Sequence, residues 1–222
     1  EAIEVGVDFG TVGLRVERGP DAGMWEATTL RSDGVYVNHR HPDSVSWSTS
    51  LRLDLERRDF TFNAMAVDPA RRLVYDPHAG RGDLSASVLR AVGVAERRIT
   101  EDALRILRAY RFLAHAGPVA VLDESLHEAM VNERTLLGQV SRERWWQELK
   151  RMFSGPEVVR SLLQMKTDKV LGILMPGDVL PTINIEASRF ESVVQHLRPD
   201  VRSKVVLSAL LQGMSTDDMD DL

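Results

Sequence analysis

Apolar residues recur in this chain with two different spacings, and the change-over near Leu84 limits the fold more than any other feature. Upstream the spacing is short. Residues 5–16 alternate loosely between apolar and small or polar side chains, residues 24–30 do so again, and residues 62–67 form a third run closed by Asp68-Pro69. Alternation of this kind predicts half-buried strands. Turn chemistry separates the first two runs at Arg18-Gly19-Pro20-Asp21-Ala22-Gly23, and Ser32-Asp33-Gly34 marks another turn. Residues 35–47 are polar, with two histidines and an arginine, and read as a long loop; residues 51–55 begin a short helix. Downstream the spacing becomes helical. Leu84, Val88 and Val92 fall at i, i+4, i+8, and Leu104, Leu107, Phe112 and Leu113 make a stripe over 101–116. Thr100 is the predicted N-cap of that second helix, with Glu101 and Asp102 in its first turn. Further helices are predicted over 122–136, 142–153 with Ser141 capping, 156–166, 188–197 and 201–211. The pattern predicts an α+β chain, a mixed sheet with helices followed by an all-helical remainder, with its boundary at Asp76-Pro77-His78-Ala79-Gly80-Arg81-Gly82.

Composition closes off several classes. The chain has 222 residues, 43% of them hydrophobic, which is enough to build a core. It has no cysteine, which excludes a disulfide scaffold, a Cys-ligated zinc and thiol catalysis. No apolar run approaches the roughly 18 residues of a membrane span, and the first residues lack the pattern of a signal peptide. A soluble, cytoplasmic protein is the expectation. Net charge is −5, which by itself argues against nucleic acid, but residues 52–111 hold twelve Arg against nine Asp or Glu, and the last eight residues hold four Asp. Of the basic residues, 24 are Arg and only four are Lys. Guanidinium forks suit phosphates and base edges, although a GC-rich coding sequence gives the same bias.

Two strings carry chemistry. Arg57-Arg58-Asp59-Phe60-Thr61-Phe62-Asn63-Ala64 sets a positive rim ahead of an apolar run. A triphosphate suits such a rim through charge-assisted bonds; a solvated helix end explains it equally well. The second string places Asp102, Arg105, Arg108 and Arg111 at three-residue steps. On one helix Asp102 and Arg105 would lie side by side. A lone pair of that kind reads first as a surface salt bridge of at most about 0.5 kcal/mol. The second reading is base recognition. A carboxylate beside a guanidinium complements the amine donor and ring acceptor of cytosine and adenine, and repels the carbonyl of guanine and uracil. A good bidentate contact of this sort discriminates by roughly 1–3 kcal/mol.

Together these strings resemble the class II tRNA nucleotidyltransferase (CCA-adding) and bacterial poly(A) polymerase family. The same resemblance takes in Asp76 to Leu84, Leu89-Arg90-Ala91-Val92-Gly93 and Ser141-Arg142-Glu143-Arg144-Trp145-Trp146-Gln147-Glu148-Leu149, and it covers residues 5–165. It implies a polymerase-β-like head at residues 1–84, a helical neck with the base-recognition helix at 85–154, and a helical body at 155–222. Arg57 and Arg58 would hold the triphosphate of an incoming ATP or CTP. Asp102 and Arg105 would pair with its base, and Arg108 and Arg111 would add nucleotide contacts. Residues 31–43, with Arg31, Tyr36 and Arg40, match the flexible loop used in switching from C to A addition. The implied activity is magnesium-dependent transfer of CMP and AMP to the tRNA 3′ end. A poly(A) polymerase and a non-catalytic nucleotide- or RNA-binding module are the alternatives. The family's glycine-rich segment and Asp-x-Asp metal pair are not found in these 222 residues, so the magnesium ligands are expected to be missing and the chain alone to be inactive; detectable transfer by it would refute that. Glu26 is the candidate third acidic residue, with an exposed strand position as the other reading.

Overall fold

The computed structural model describes residues 2–4, 10–19, 22–33, 45–174 and 187–211. The first two alternating runs contribute antiparallel strands. β1 (Ala2–Glu4), β2 (Thr11–Val16) and β3 (Gly23–Thr28) pair in that order, with Leu14 opposite Trp25 and Val12 opposite Ala27. β4 (Arg31–Asp33) and β5 (Val45–Trp47) form a second ladder. Arg31 to Asp33 is therefore strand rather than turn, and the end of the expected loop is strand as well. Backbone pairing between the two stretches outweighs their polar composition. Helix α1 (Leu51–Glu56) stands where the sequence put it, with the Ser50 hydroxyl accepting from the Leu53 N–H at 3.4 Å.

The third strand does not begin at Phe62. Thr61 to Asn63 is a single 3-10 turn, and only β6 (Ala66–Asp68), paired with β7 (Leu73–Tyr75), is extended. Long-range bonds overrule the local alternation here. The Thr61 N–H donates to the Arg90 carbonyl and the Val92 N–H to the Asp59 carbonyl, both at 3.0 Å, while Phe60 is buried against Phe62 and Phe112.

The stripe of Leu84, Val88 and Val92 is not one helix either. α2 (Gly80–Ala86) ends at Ser87 in the left-handed region (φ 55°). β8 (Val88–Leu89) then pairs in parallel with β9 (Val121–Leu122), so the remainder of the chain is not wholly helical. The start of α2 is fixed by Asp76, whose carboxylate accepts from the N–H groups of Gly80 (2.7 Å) and Arg81 (3.0 Å). Gly80 has to be glycine. A Cβ there would lie 2.3 Å from the Thr61 carbonyl oxygen.

The predicted helix over 101–116 is two helices, α3 (Ala95–Glu101) and α4 (Leu104–His115), with extended backbone at Asp102 (φ −149°, ψ 100°). Thr100 is not the cap. It lies inside α3, and its hydroxyl donates back to the Glu96 and Arg97 carbonyls. Asp102 stands just ahead of Ala103, the N-cap of α4, and its carboxylate accepts from the Leu104 N–H at 3.2 Å.

The later helices follow the sequence closely. They are α5 (Glu124–Asn132) with a 3-10 stretch Arg134–Gln139 behind it, α6 (Arg142–Phe153), α7 (Val158–Thr167), α8 (Leu171–Leu174), α9 (Ala187–His196) and α10 (Pro199–Leu211). α4 is the axis of the core. Ile106, Leu107, Ala109, Tyr110 and Ala114 are fully buried in a cluster that runs from Phe60 to Leu210. Among the described residues, no helix is long and apolar enough to cross a membrane.

Candidate functional site

The Arg57-Arg58-Asp59 string and the start of α4 come together on a cavity of about 520 Å3. That volume lies within the range of small-molecule sites. Five arginines (57, 58, 105, 108 and 144) line it against two aspartates (59 and 102). Guanidiniums thus dominate the wall. Three carboxylates that bind them, Asp54, Glu101 and Glu148, are not in the lining.

The arginine end is built at the exit of α1. Asp54 accepts from Arg57 Nε at 3.1 Å and Nη2 at 2.6 Å, and from Arg58 Nη2 at 3.1 Å. Burial pushes the Asp54 carboxyl up, but the Arg57 and Arg58 guanidiniums outweigh it and hold the group below its ordinary value. Next along the chain, Asp59 is buried and accepts from Arg108 Nε (2.8 Å), Asn63 Nδ2 (3.1 Å) and the Phe60 N–H (2.9 Å). Burial again opposes ionisation, and the Arg108 charge again wins, leaving the Asp59 carboxyl below and the Arg108 guanidinium above their ordinary values.

The other end is the junction of α3 and α4. Because the helix breaks there, Asp102 and Arg105 do not form the side-by-side pair expected on one continuous helix. Each is held by something else. Asp102 receives Arg144 Nη2 from α6 at 2.9 Å on Oδ2 and 3.2 Å on Oδ1. Arg105 is nearly buried, and it donates to the Glu101 carboxylate (2.9 Å), the Arg98 carbonyl (2.6 Å) and the Arg57 carbonyl (3.1 Å). Both nevertheless face the cavity. A carboxylate offers about four lone-pair sites and a guanidinium five N–H groups. Three bonds are made to Asp102 and three by Arg105.

Arg111 is not in the cavity wall. Its guanidinium sits 4.3 Å from the Phe112 ring centre, with Nε 3.2 Å from Glu148, and burial pushes its basicity below the ordinary value. Glu26 is exposed on β3, opposite Gly13 and away from the cavity. Arg31 opens β4, and its backbone N–H reaches Asp54 at 3.4 Å. Tyr36 and Arg40 lie outside the described residues.

Sequence reasoning missed Asp54, Glu101, Arg144 and Glu148 as site residues. Asp54 and Glu101 were within reach of it, since each stands three or four positions from the arginine it binds. Arg144 and Glu148 lie four apart on one face of α6, but nothing local ties them to α4.

Residues 1–90 match the family described as "Poly A polymerase head domain", and residues 121–177 match "Probable RNA and SrmB-binding site of polymerase A". The CCA-adding enzyme of Oceanobacillus iheyensis is 39% identical over 180 residues, which is 80% of this chain and 43% of that protein. The chain belongs to the class II tRNA nucleotidyltransferase and poly(A) polymerase family. The CCA-adding enzyme of Geobacillus stearothermophilus is 38% identical over 177 residues, covering 80% of this chain and 42% of that one. Among solved structures, the CCA-adding enzyme of Bacillus stearothermophilus in complex with CTP superimposes with a TM-score of 0.72 at 31% identity, over 94% of this chain and 54% of that one. The chain spans about half the length or less of the relatives it matches.

Proposed function

We propose that this chain supplies the nucleotide-selecting part of a tRNA nucleotidyltransferase that adds CMP and AMP to the tRNA 3′ end. One observation carries the reading: the paired arginines and the Asp102–Arg105 junction border the same cavity. Arg57 and Arg58 bind the triphosphate, with Arg108 beside them. Asp102 accepts the amine of cytosine or adenine while Arg105 donates to the neighbouring ring acceptor. The two therefore act as a template made of protein. Arg111 supports this wall from behind through Phe112, and the segment of Arg31, Tyr36 and Arg40 serves as the loop that shifts choice from C to A. CTP in a relative's structure supports the choice of ligand. The division into head (1–84), neck (85–154) and body (155–222) goes with this reading, as do a tRNA partner, ATP and CTP as substrates, and a cytoplasmic location.

Magnesium is the metal the family resemblance implies. Among the described residues no three acidic or imidazole side chains gather into a group that could hold it, and Glu26 stands alone on its strand. These residues do not fit the ion. Glu26 remains a candidate acidic group for the reaction.

The test is extension of tRNA lacking its last nucleotides by the protein that carries this chain. Addition of C before A, stopping at the completed end, is the expected result. A homopolymer of AMP on unrelated RNA would favour a poly(A) polymerase instead. Nucleotide binding with no transfer would favour a binding module.

A further inference from the structure

Two arginines adjacent in sequence repel one another, and long guanidinium side chains lose considerable entropy when held still. A site that needs both pointing at one phosphate chain therefore needs something to hold them. Asp54 meets that need and is assigned no part in the proposed nucleotide chemistry. Its side chain is 3% exposed, and it does not line the cavity. One oxygen takes the Nε–Nη2 edge of Arg57, and the other takes Nη2 of Arg58, whose Nη1 donates onward to the Asn63 carbonyl at 3.0 Å. The backbone N–H of Arg31 approaches the first oxygen as well. Arg57, Arg58 and the Arg31 backbone thus converge on one buried carboxylate. Leaving such a carboxylate unpaired is costly, so the two arginines are held rather than drifting in solvent.

We infer that Asp54 is a positioning residue for the nucleotide's phosphates, fixing both guanidiniums at the cavity wall before any ligand arrives. Preorganisation of this kind raises affinity by removing the ordering cost from the binding step. It acts only on the part of the ligand that the arginines touch. The inference rests on the reading of Arg57 and Arg58 as triphosphate ligands.

The experiment compares CTP with CMP by equilibrium titration, in the wild-type chain and in Asp54→Asn. CTP affinity is expected to fall about tenfold while CMP affinity stays within about twofold, so the ratio of the two collapses. Equal loss of CTP and CMP would show a general structural role and overturn the inference, as would an unchanged ratio. The same substitution placed in an Arg57→Gln/Arg58→Gln background keeps the test decisive even if Asp54→Asn alone does not fold. There it should change CTP affinity by less than about twofold, because its partners are gone. A further tenfold loss in that background would overturn the inference. A wild-type chain that binds CTP no better than CMP would refute the triphosphate reading itself, a result distinct from either outcome above.

Discussion

The Asp54 cluster and the α3–α4 junction, though they border one cavity, draw on contacts of different range. Asp54, which fixes Arg57 and Arg58, lies three and four residues earlier in the chain, on the α1 helix that they follow. At the junction, Asp102 is held by Arg144 from 42 residues away, and Arg105 both by Glu101 one turn earlier and by a carbonyl 48 residues away. The arginine pairs to Asp54 close within residues 54–58. The full set of junction contacts exists only when α1, α3, α4 and α6 are packed together. Base choice should therefore be more sensitive to core damage than phosphate binding is.

The largest effect that would sharpen this contrast is at Arg108, whose bonds to Asp59 span 49 residues. Arg108→Met leaves a buried carboxylate without its main partner, and about 3 kcal/mol of stability should be lost, read as a lower thermal midpoint. A drop under about 0.5 kcal/mol would mean that the long-range half is no more fragile than the local half. Next in size is Arg144→Ala. Releasing Asp102 should shrink the preference for CTP over GTP about tenfold, with little change in CTP affinity itself. Equal weakening of all nucleotides would place Arg144 with the phosphate-binding group instead.

Acid provides a smaller, shared effect. Asp54 and Asp59 both ionise more readily folded than unfolded. Their contribution is therefore complete above the unfolded carboxyl value of about 3.9 and is lost as pH falls through their lower folded values. Thermal midpoints should hold down to about pH 5 and decline below about pH 4, less steeply in Asp54→Asn. A steeper decline in that variant would contradict the assigned pairing. Smallest of all is Glu26→Gln on the exposed strand. Stability should move by less than about 0.5 kcal/mol, and CTP affinity should not change.

The same contrast explains what could be read from the sequence. α6, α7 and α9 were legible because their apolar residues repeat at helical spacing with nothing to overrule them. The arginine pair at the cavity was legible as a cluster because charge and adjacency are local facts. The break at Asp102 was not. A helix-like stripe begins right after it, and only the extended backbone and the reach of Arg144 reveal that the acid stands ahead of α4 rather than on it. The run at 62–67 and the stripe at 84–92 failed for one reason: residues 59–61 bond to residues 90–92, a pairing that no local pattern announces.

The most direct measurement is a set of four dissociation constants, for CTP, ATP, GTP and UTP, taken on the wild type, Asp102→Ala and Arg58→Ala. The wild type should bind CTP and ATP about tenfold or more tightly than GTP and UTP. Asp102→Ala should level the four, and Arg58→Ala should weaken all of them alike. Four equal constants in the wild type, or the same pattern in both variants, would contradict a template built from one carboxylate and one guanidinium.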